Sequence, residues 1–544
     1  MNRLDISGCV NIFEILARAA ARYGEREYLV LGLREEAISF AELKRKAEHL
    51  ALRLAAMGVR PGDRVALWMT NKIDWAVTAF AIARCGAVMV GVSTRLTPRE
   101  VAHMLALSGA MLWILEDVFL GKVLATEIIE PVLENLHSRG LALPARLIWS
   151  ASAKRYADAL SWHEEMAKPA GQALPSTTTL TAESGKTEYP ELSGVAAILS
   201  TSGTTGAPKG VMLTHDGLMQ LADAIGKRQQ LDPTQIFYSI APFFHCSGFM
   251  HALLTTLISG CPFFTTRQYF PEETREVMRS YGPTAYHGFI GVLQDLAKLP
   301  EAERSSLRLE RAWFSAAAAE MARLEGLLGT RMCEVYGLTE SGGCVSITTA
   351  DDPVDMRHDS DGRPQDGLEV RIIDPATGAE LEESMPGEIL VRGWNVMRGY
   401  FRDPEASARA IDANGWLHTG DQGIRLPGGY IKFLSRLKDV IRVGGENVSP
   451  MEIEEVLLAH PAIGALAVVA CPHPRLAEVP VAFIVRRPGS TVTEAELIGF
   501  CHGKLANFKV PTRVIFIDEL PRTGATNRIQ KAKLREMLSE DTHP

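Results

Sequence analysis

The chain lacks an excess of basic residues, because its 57 lysines and arginines are outnumbered by 65 aspartates and glutamates, which gives a net charge of −8. A protein with this balance has no general electrostatic attraction for nucleic acid or for an anionic membrane, so an anionic ligand must be held by a local site. No internal repeat occurs at the periods of solenoids or propellers. We therefore expect a globular protein whose partner is a small molecule and not a nucleic acid.

Paired cysteines are absent too. The eight cysteines lie far apart in the sequence, with no C-x-x-C pair and no cluster with histidine at metal-binding spacing. This usage is typical of reduced thiols in the cytoplasm. The N-terminal segment carries Asp5 and Glu14 where a secretory signal needs an unbroken apolar run. Together these features predict a cytoplasmic protein.

Charge is missing from residues 236–266, a stretch without Asp, Glu, Lys or Arg that is long enough to span a bilayer. Pro242, Gly248, Gly260 and Pro262 divide it into short pieces. Such interruptions favour a strand, a turn and a buried helix over a membrane helix. We therefore expect no transmembrane segment.

The first part of the chain alternates helical and strand-like patterns, with helices predicted at 40–57 and 74–86 and strands at 64–69 and 87–92. This βαβ rhythm predicts a mostly parallel sheet covered by helices, which is an α/β fold. Residues 150–193 lose the periodicity and predict a long surface excursion before a strand at 195–200.

Two further changes of pattern follow. Between residues 367 and 399 short strand-like pieces alternate with proline and glycine, which predicts a small antiparallel sheet or barrel. From residue 437 onward the pattern becomes α+β, with helices at 450–460 and 494–505 and strands at 464–471, 479–486 and 514–517. This last block, of roughly 105 residues, is long enough to be a domain of its own.

The strongest local motif is the segment from Leu199 to His215, which reads LSTSGTTGAPKGVMLTH. Its glycines let the backbone approach a ligand, its hydroxyls act as donors, and its lysine supplies a point charge, a combination that suits a phosphate. The alternative interpretation is a flexible turn rich in serine and glycine. It is disfavoured because a strand is predicted before the loop, a helix is predicted after it, and a lysine lies within the loop. The spacing does not match G-x-x-x-x-G-K-S/T, which disfavours P-loop chemistry. The candidate phosphate-binding residues are Thr201, Ser202, Gly203, Thr204, Thr205, Gly206 and Lys209.

This segment resembles the signature of the adenylate-forming superfamily, which contains acyl-CoA synthetases, nonribosomal peptide adenylation domains and luciferases. Four further motifs follow in the family's order: PFFHCSG at 242–248, YGLTE at 336–340, GWLHTGD at 415–421 and RLKDVIRVGGENVSP at 436–450. The resemblance covers essentially the whole chain. The chain is therefore identified as a member of this superfamily.

The resemblance implies an N-terminal adenylate- and acyl-binding domain over residues 1–436 and a C-terminal lid domain over residues 437–544, with a hinge at Lys438. The large domain would contain two α/β subdomains and a small β-barrel-like subdomain, and the small C-terminal domain would be mobile and α+β. In this family the small domain closes one way for adenylation and rotates to present another face for thioester formation.

The resemblance also implies roles for residues around a nucleotide. Glu340 would bind Mg²⁺, because a hard carboxylate suits a hard cation, and the Thr339 hydroxyl would contact the α-phosphate. Asp421 and Arg436 would hold the ribose hydroxyls. Without the motifs, each of these would be interpreted as a helix cap or a surface charge. The adenine-side residues would be Tyr336, Gly337 and Ala316, the last within a run of alanines where the family has glycines.

The acyl and thiol elements follow from the same resemblance. His245 is a candidate gate between the acyl pocket and the thiol tunnel, although a lone histidine is more often a core residue. Gly444 and Gly445 resemble the wall along which the pantetheine arm of CoA slides. Segments 243–250, 286–292 and 313–317 suggest a roomy apolar pocket for a medium or bulky acyl group. The candidate acyl-binding residues are Phe243, His245, Gly248, Gly288 and Gly291.

One motif departs from the family pattern. Near the C-terminus the family has T-G-K-I-x-K, whose first lysine bridges the carboxylate and the α-phosphate as the adenylate forms. Here the segment reads PRTGATNRIQKAKLR, which places Arg528 on that lysine and lengthens the motif by one residue. A planar guanidinium does not replace a compact ammonium donor, and losing one such donor costs about 10²–10³ in rate. We therefore expect adenylation to be weak or absent, while attack of the CoA thiol on an acyl adenylate need not suffer.

These features predict an acid–thiol ligase of the acyl-CoA synthetase type that forms acyl-CoA from an acyl adenylate and CoA. It resembles the non-adenylating acyl-CoA ligases of platensimycin-type antibiotic biosynthesis, in which a separate adenylating enzyme would supply the adenylate. The alternatives are a complete synthetase using ATP and Mg²⁺ for a medium or bulky apolar acid, a luciferase-like oxygenase, a non-catalytic adenylate-binding protein, and an enzyme that loads a carrier protein. The candidate catalytic residues are His245, Thr339, Lys438 and Arg528.

Overall fold

The fold is known from a computed structural model that describes residues 3–119, 122–123, 125–150, 159–169, 173–177, 179–180, 190–201, 208–443, 446–522 and 529–540. The chain forms two compact units. The first comprises Met1–Glu369 and Val391–Leu417, and the second comprises Val370–Leu390 and His418–Pro544.

The α-helices of the described residues alternate with strands through most of the first unit and recur in the second. They are α1 (Ile12–Tyr23), α2 (Phe40–Ala56), α3 (Ile73–Arg84), α4 (Pro98–Ser108), α5 (Glu130–Ser138), α6 (Trp162–Ala167), α7 (His215–Arg228), α8 (Thr255–Ser259), α9 (Pro271–Tyr281), α10 (Ile290–Ala297), α11 (Glu301–Arg304), α12 (Ala318–Leu328), α13 (Val354–Asp359), α14 (Pro404–Ala410), α15 (Pro450–Leu458), α16 (Glu494–Cys501) and α17 (Lys531–Glu540). Ala125–Ile129 and Ser247–Leu254 are π-helices, and short 3₁₀ turns include Thr339–Ser341 and Leu437–Asp439.

The strands are short and mostly buried. They are β1 (Glu27–Leu31), β2 (Glu36–Ser39), β3 (Arg64–Trp68), β4 (Val88–Gly91), β5 (Leu112–Glu116), β6 (Val118–Phe119), β7 (Lys122–Val123), β8 (Ala145–Trp149), β9 (Leu160–Ser161), β10 (Val195–Thr201), β11 (Lys209–Thr214), β12 (Phe237–Tyr238), β13 (Phe263–Thr265), β14 (Ala285–His287), β15 (Arg311–Phe314), β16 (Arg331–Tyr336), β17 (Ser346–Ile347), β18 (Arg363–Pro364), β19 (Glu369–Ile373), β20 (Gly387–Arg392), β21 (Leu417–Leu426), β22 (Tyr430–Arg436), β23 (Ile441–Val443), β24 (Glu446–Val448), β25 (Ile463–His473), β26 (Ala477–Arg486) and β27 (Arg513–Phe516).

The first unit contains two large sheets. One has nine strands in the order β18-β17-β16-β15-β14-β12-β13-β1-β2, with a parallel centre from β16 to β1. The other has seven strands in the order β11-β10-β4-β3-β5-β8-β9 and is parallel except for the β10–β11 hairpin. Buried side chains of α9, α10 and α12 pack against the nine-stranded sheet. The α/β prediction is therefore confirmed.

Local sequence signals explain where helices begin and end. Helix α4 starts after Thr97, whose hydroxyl accepts the Glu100 backbone N–H while the Glu100 carboxylate accepts the Thr97 N–H, and Pro98 fits its first turn. The helix ends at Gly109, which adopts a left-handed conformation with φ 57°.

Asn71 joins the two sheets at the position that matters for the site. Its side-chain amide donates to the Ala241 carbonyl at 3.0 Å and to Thr265 Oγ1 at 3.2 Å, and its amide oxygen accepts the Phe243 N–H at 2.9 Å. Asn71 follows β3 of one sheet, whereas these partners follow β12 or end β13 of the other. The segment after β12 is therefore held in place by the neighbouring sheet.

The second unit contains a four-stranded sheet, ordered β19-β20-β21-β22, and a five-stranded sheet made of β23 to β27. The small antiparallel sheet or barrel expected from the sequence is thus an open sheet, and the β-barrel-like expectation is wrong in that respect. Alternate residues of β25 and β26 face α15 and α16 on one side and α17 on the other. The predicted domain boundary at residue 436 and the hinge at Lys438 stay predictions.

The charge-free stretch folds as short pieces: β12, a π-helix, α8 and β13. Among the described residues no helix has both the length and the apolar character needed to cross a membrane. The expectation of a strand, a turn and a buried helix is confirmed.

Replacing Asn71 with alanine should destabilise the protein by about 2–4 kcal/mol, because the buried Phe243 N–H and Ala241 carbonyl lose their partner. Urea unfolding of the purified variant measures the loss. As a control, Asn414→Ala in an exposed loop should change the unfolding free energy by less than about 0.5 kcal/mol. Equal stability of the two variants would contradict the joining role of Asn71.

Candidate functional site

The candidate site lies where the parallel strands of the nine-stranded sheet end. Ligands of open α/β sheets bind at the carboxyl ends of the strands. Here the loops that follow β12, β14, β15 and β16 cover residues 239–247, 288–291, 315–317 and 337–343, and each contains solvent-accessible positions beside a buried strand. Four of the predicted motif segments are therefore gathered at one sheet edge.

Glu340 is held by a residue that the sequence reasoning missed. The Tyr400 hydroxyl donates to Glu340 Oε1 at 2.8 Å, and the Lys209 ammonium lies 4.5 Å from the centroid of the Tyr400 ring. One aromatic side chain thus fixes a carboxylate and contacts a cation, both of which were predicted to act on phosphates or their metal. Tyr400 and Glu340 are 60 residues apart, and no motif spacing linked them.

The predicted phosphate loop connects two strands. Thr201 at the end of β10 pairs with Lys209 at the start of β11, and α7 begins only at His215. The helix expected after the loop is therefore present, and the edge strand β11, which contains the sequence GVML, lies between the loop and this helix. The remaining predicted loop residues, Ser202, Gly203, Thr204, Thr205 and Gly206, lie outside the described residues.

The adenine-side candidates include a glycine at a close contact between two backbone segments. A Cβ on Gly337 would lie 2.4 Å from the Gly343 carbonyl carbon, so only glycine permits this contact. Tyr336 at the end of β16 is buried, with 6% of its surface exposed. The Ala316 N–H donates to Glu334 Oε2 at 3.1 Å, which anchors the alanine segment to β16.

Glu334 is an acid in an unusual environment. It is 5% exposed, and burial, together with the neighbouring Asp361 carboxylate, raises the pKa of Glu334 well above its ordinary value. This environment favours the neutral form of the Glu334 carboxyl group, which accepts the Ala316 N–H.

His245, Cys246 and Thr339 meet at the centre of the site. Cys246 Sγ lies 3.8 Å from His245 Nδ1 and 3.9 Å from Thr339 Oγ1. Burial opposes ionisation of the thiol, but charge and hydrogen-bond interactions with His245 and hydrogen bonding with Thr339 outweigh it, so the pKa of Cys246 is lowered. The predicted gate residue and the predicted phosphate contact are therefore in one cluster.

Two acyl-pocket candidates have structural roles. Phe243 has no exposed surface, and its ring lies 5.3 Å from Trp75 and 5.9 Å from Phe263. A Cβ on Gly248 would lie 2.2 Å from the Pro242 carbonyl oxygen, so only glycine allows the start of the π-helix to lie this close to Pro242. Their predicted contact with an acyl group stays a prediction.

The other two glycines differ from each other. A Cβ on Gly288, whose φ is 155°, would lie 2.7 Å from the Tyr286 hydroxyl, whereas a Cβ on Gly291 would meet nothing within 4 Å. Phe289 between them is 41% exposed. The loop after β14 therefore presents an apolar ring and open space at the sheet edge.

A network of buried polar side chains crosses the segments predicted to form an apolar pocket. His287 Nδ1 lies 2.8 Å from the Trp313 carbonyl oxygen, and His287 Nε2 lies 2.7 Å from Ser247 Oγ. Trp313 Nε1–H donates to His251 Nδ1 at 3.2 Å, and His251 Nε2 lies 3.1 Å from the Gly343 carbonyl oxygen. The two imidazoles stack with centroids 4.3 Å apart. The segments expected to form an apolar pocket therefore also contain paired polar side chains. The only sign of this in the sequence is that two histidines, His251 and His287, occur among apolar residues.

Both stacked histidines are neutral. Burial lowers the pKa of His251 to about 4, with a further contribution from the charge of His245. Burial also lowers the pKa of His287 well below its ordinary value, together with charge interactions from His251 and His245. Their protons are therefore fixed by their hydrogen-bond partners.

The remaining candidates belong to the second unit. Asp421 on β21 faces Arg436 on β22 in register, with Asp421 Oδ1 2.9 Å from Arg436 Nη1. The Asp421 backbone N–H donates to Thr419 Oγ1 at 3.1 Å. Lys438 lies in a 3₁₀ turn directly after this strand. Gly444, Gly445 and Arg528 lie outside the described residues.

The predicted magnesium ligand is Glu340. The described part of the chain has no group of three or more His, Cys, Asp or Glu side chains arranged to hold a metal ion. Mg²⁺ commonly uses one or two carboxylates together with substrate phosphates. Glu340, with its carboxylate already oriented by Tyr400, fits that mode.

Two family descriptions match most of the chain. Residues 16–401 match the family described as AMP-binding enzyme, and residues 452–526 match the AMP-binding enzyme C-terminal domain.

Relatives match over nearly the full length of the chain. The octahydroindenyl-propanoyl:CoA ligase of Rhodococcus jostii is 32% identical over 96% of this chain and 97% of its own length. A rice 4-coumarate–CoA ligase is 30% identical over 95% of this chain and 92% of its own length. The ATP-bound structure of MatB from Rhodopseudomonas palustris superposes with a TM-score of 0.84 at 27% identity, covering all of both chains.

The neutral histidines should make stability depend on pH. In the unfolded chain a histidine gains a proton below about pH 6.5, whereas folded His251 remains neutral down to about pH 4, so the free energy of unfolding decreases as pH falls through this range. Between pH 7 and pH 5 the loss should be about 2 kcal/mol for each such histidine. Urea unfolding at the two pH values measures it.

The variant His251→Gln should reduce this pH dependence, while His502→Gln at an exposed position should leave it unchanged. An unaltered slope in His251→Gln would contradict the assignment of His251 as a neutral buried group.

Proposed function

The chain belongs to the AMP-binding enzyme family, within the acyl-CoA ligase superfamily, and from this premise we propose that it transfers an acyl group from an acyl adenylate to CoA, with a slow adenylation step of its own. In the thioester step the CoA sulfur attacks the acyl carbonyl carbon. A C–S bond forms, the C–O bond to the phosphate breaks, AMP leaves with the electron pair, and the thiol proton passes to solvent.

The observation that carries the assignment of an adenylate site, which both candidate functions below share, is the arrangement of Glu340, Tyr400 and Lys209. Tyr400 orients the Glu340 carboxylate and places its ring beneath the Lys209 ammonium. A fixed carboxylate for a phosphate-bound cation and a point charge for phosphate are the groups that an adenylate site needs. Bound Mg²⁺ would neutralise phosphate charge, and Glu340 would hold it. Thr339, next to Glu340, would donate to the α-phosphate.

Asp421 and Arg436 support the nucleotide assignment independently. The Asp421 carboxylate is an acceptor for ribose hydroxyls, and Arg436 holds it from the neighbouring strand at 2.9 Å. A carboxylate with this fixed position suits a diol better than a phosphate, because like charges repel.

The slow adenylation step rests on the sequence change at Arg528. A guanidinium in place of the expected ammonium, in a motif one residue longer, would misplace the donor between the carboxylate and the α-phosphate. A separate adenylating enzyme would then supply the acyl adenylate.

A second candidate function is the complete ATP-dependent synthesis of acyl-CoA. Retention of Lys209 and of an oriented Glu340 favours it, because these groups serve a triphosphate and its cation better than they serve a monophosphate ester. The two candidates share the thioester step and differ only in the rate of the first step.

The acyl group is proposed to be medium-sized or bulky. Both curated relatives described above are named for ring-bearing acids. The open space at Gly291 and the exposed Phe289 ring are consistent with contact to such a group.

An experiment that supplies the acyl adenylate directly distinguishes the two candidate functions. The protein with synthetic 3-phenylpropanoyl adenylate and CoA should form thioester rapidly, whereas 3-phenylpropanoate, ATP, Mg²⁺ and CoA should react at least about 100-fold more slowly. Arg528→Lys should recover part of the second rate without changing the first, as measured by thioester chromatography.

A carrier protein with a phosphopantetheine arm replaces CoA in a parallel reaction to identify the thiol. Comparable rates from acid and from adenylate would establish the complete synthetase instead. No thioester from either mixture would reject both candidates.

Tyr400→Phe should weaken Mg²⁺-dependent ATP binding by about 10–100-fold, because it removes the hydrogen bond that orients Glu340 but keeps the ring under Lys209. Tyr400→Leu removes both contacts and should also weaken ATP binding measured without Mg²⁺. Calorimetric titration with ATP, with and without Mg²⁺, distinguishes them. An unchanged Mg²⁺ dependence in Tyr400→Phe would exclude the orienting role.

A further inference from the structure

The direction of each hydrogen bond made by His251 and His287 follows from partner groups that can only donate or can only accept a hydrogen bond. The Trp313 carbonyl oxygen can only accept, so His287 Nδ1, 2.8 Å away, carries a hydrogen. His287 is neutral, because burial lowers its pKa well below the ordinary value. Its Nε2 therefore has no hydrogen and can only accept.

This fixes the hydroxyl of Ser247. Ser247 Oγ lies 2.7 Å from His287 Nε2, so the Ser247 O–H must donate to that nitrogen. With its single hydrogen used in this way, Ser247 Oγ keeps only lone pairs, which accept hydrogen bonds. A ligand group that donates is favoured there, and a group that can only accept meets oxygen lone pairs.

The neighbouring histidine keeps the arrangement rigid. Trp313 Nε1–H can only donate, so His251 Nδ1 accepts and His251 Nε2–H donates to the Gly343 carbonyl. The His251 and His287 rings stack at 12° between planes. His287 is therefore held on both edges and one face, and it cannot rotate to reverse the direction of its bond to Ser247.

Ser247 is also at the open part of the site. Ser247 and His245 are each partly exposed residues, whereas Cys246 and residues 248–254 are buried. Cys246, next to Ser247, contacts Thr339 Oγ1 at 3.9 Å. An acyl group that extends from a phosphate near Thr339 would pass Ser247.

We propose that Ser247 is a specificity-determining residue whose oxygen accepts a hydrogen bond from a hydroxyl or N–H group on the acyl substrate, and that His287 is the positioning residue that makes it an acceptor. The substrate class is therefore a medium or bulky carboxylic acid that carries a hydrogen-bond donor, and not a plain hydrocarbon acid. This inference rests on the proposed function, because it assumes that an acyl adenylate occupies the site.

Binding of stable acyl-adenylate analogues tests the inference without requiring turnover. The probes are 5′-O-sulfamoyladenosines acylated with 3-phenylpropanoate, with a hydroxyl at each ring position or at carbon 3 of the chain, and with the matching methyl ethers. A hydroxyl can donate, whereas its methyl ether can only accept. At least one hydroxyl probe should bind the wild-type protein about 5- to 10-fold more tightly than its ether.

Two variants assign that ratio to the network. Ser247→Ala should reduce the ratio to about one by weakening the hydroxyl probe. His287→Phe keeps an aromatic ring but frees the Ser247 hydrogen, so it should reduce the ratio by strengthening the ether. A purely structural role of His287 would weaken both probes and leave the ratio unchanged, which would overturn the positioning role.

The matched control is Thr255→Val, which removes a buried hydroxyl that donates to the Met250 carbonyl at 2.7 Å and should leave the ratio unchanged. Equal binding of hydroxyl and ether at every position would overturn the inference and leave the proposed function standing. Failure of every probe to bind, with or without a hydroxyl, would overturn the proposed function and this inference with it.

Discussion

The attachment of the segment after β12 to the neighbouring sheet is the constraint on which the site depends. Two hydrogen bonds join Asn71 to that segment, one donated to the Ala241 carbonyl and one accepted from the Phe243 N–H, and the residues that follow include His245 and Ser247. A Cβ on Gly91 of the same neighbouring sheet would approach the Phe244 carbonyl oxygen to 3.3 Å, so the two sheets meet closely. The position of the catalytic candidates is therefore set by contacts between two sheets as well as by the sheet that carries them.

Much of the fold could be predicted from the sequence, because the periodicity of apolar residues and the positions of glycine and proline determine local secondary structure. The helix expected at 40–57 is Phe40–Ala56, and the strand expected at 195–200 is Val195–Thr201. The strand β11 between the loop and the following helix was not predicted, because a short apolar run such as GVML does not distinguish strand from helix. The barrel expectation was wrong because closure depends on pairing between distant strands, which local patterns do not contain.

Motifs identified the charged groups of the site but not the groups that orient them. Lys209 was found from its loop motif and Glu340 by resemblance, whereas Tyr400 joins them only through the fold. In the same way, composition suggested an apolar pocket and did not show which polar side chains are paired within it. The pairing of Ser247 with His287 depends on a π-helix and a strand end that are 40 residues apart. Orientation in this site is thus a property of tertiary contacts.

The eight-residue π-helix Ser247–Leu254 makes this region sensitive to chain length. A π-helix has one more residue per hydrogen-bonded loop than an α-helix, and such segments are rare and short. Deleting a single residue there would allow an ordinary α-helix, in which each residue turns by about 100°. Ser247 and His251 could then no longer both face their partners. The loss of one codon, without any change of residue type, would therefore be enough to separate Ser247 from His287.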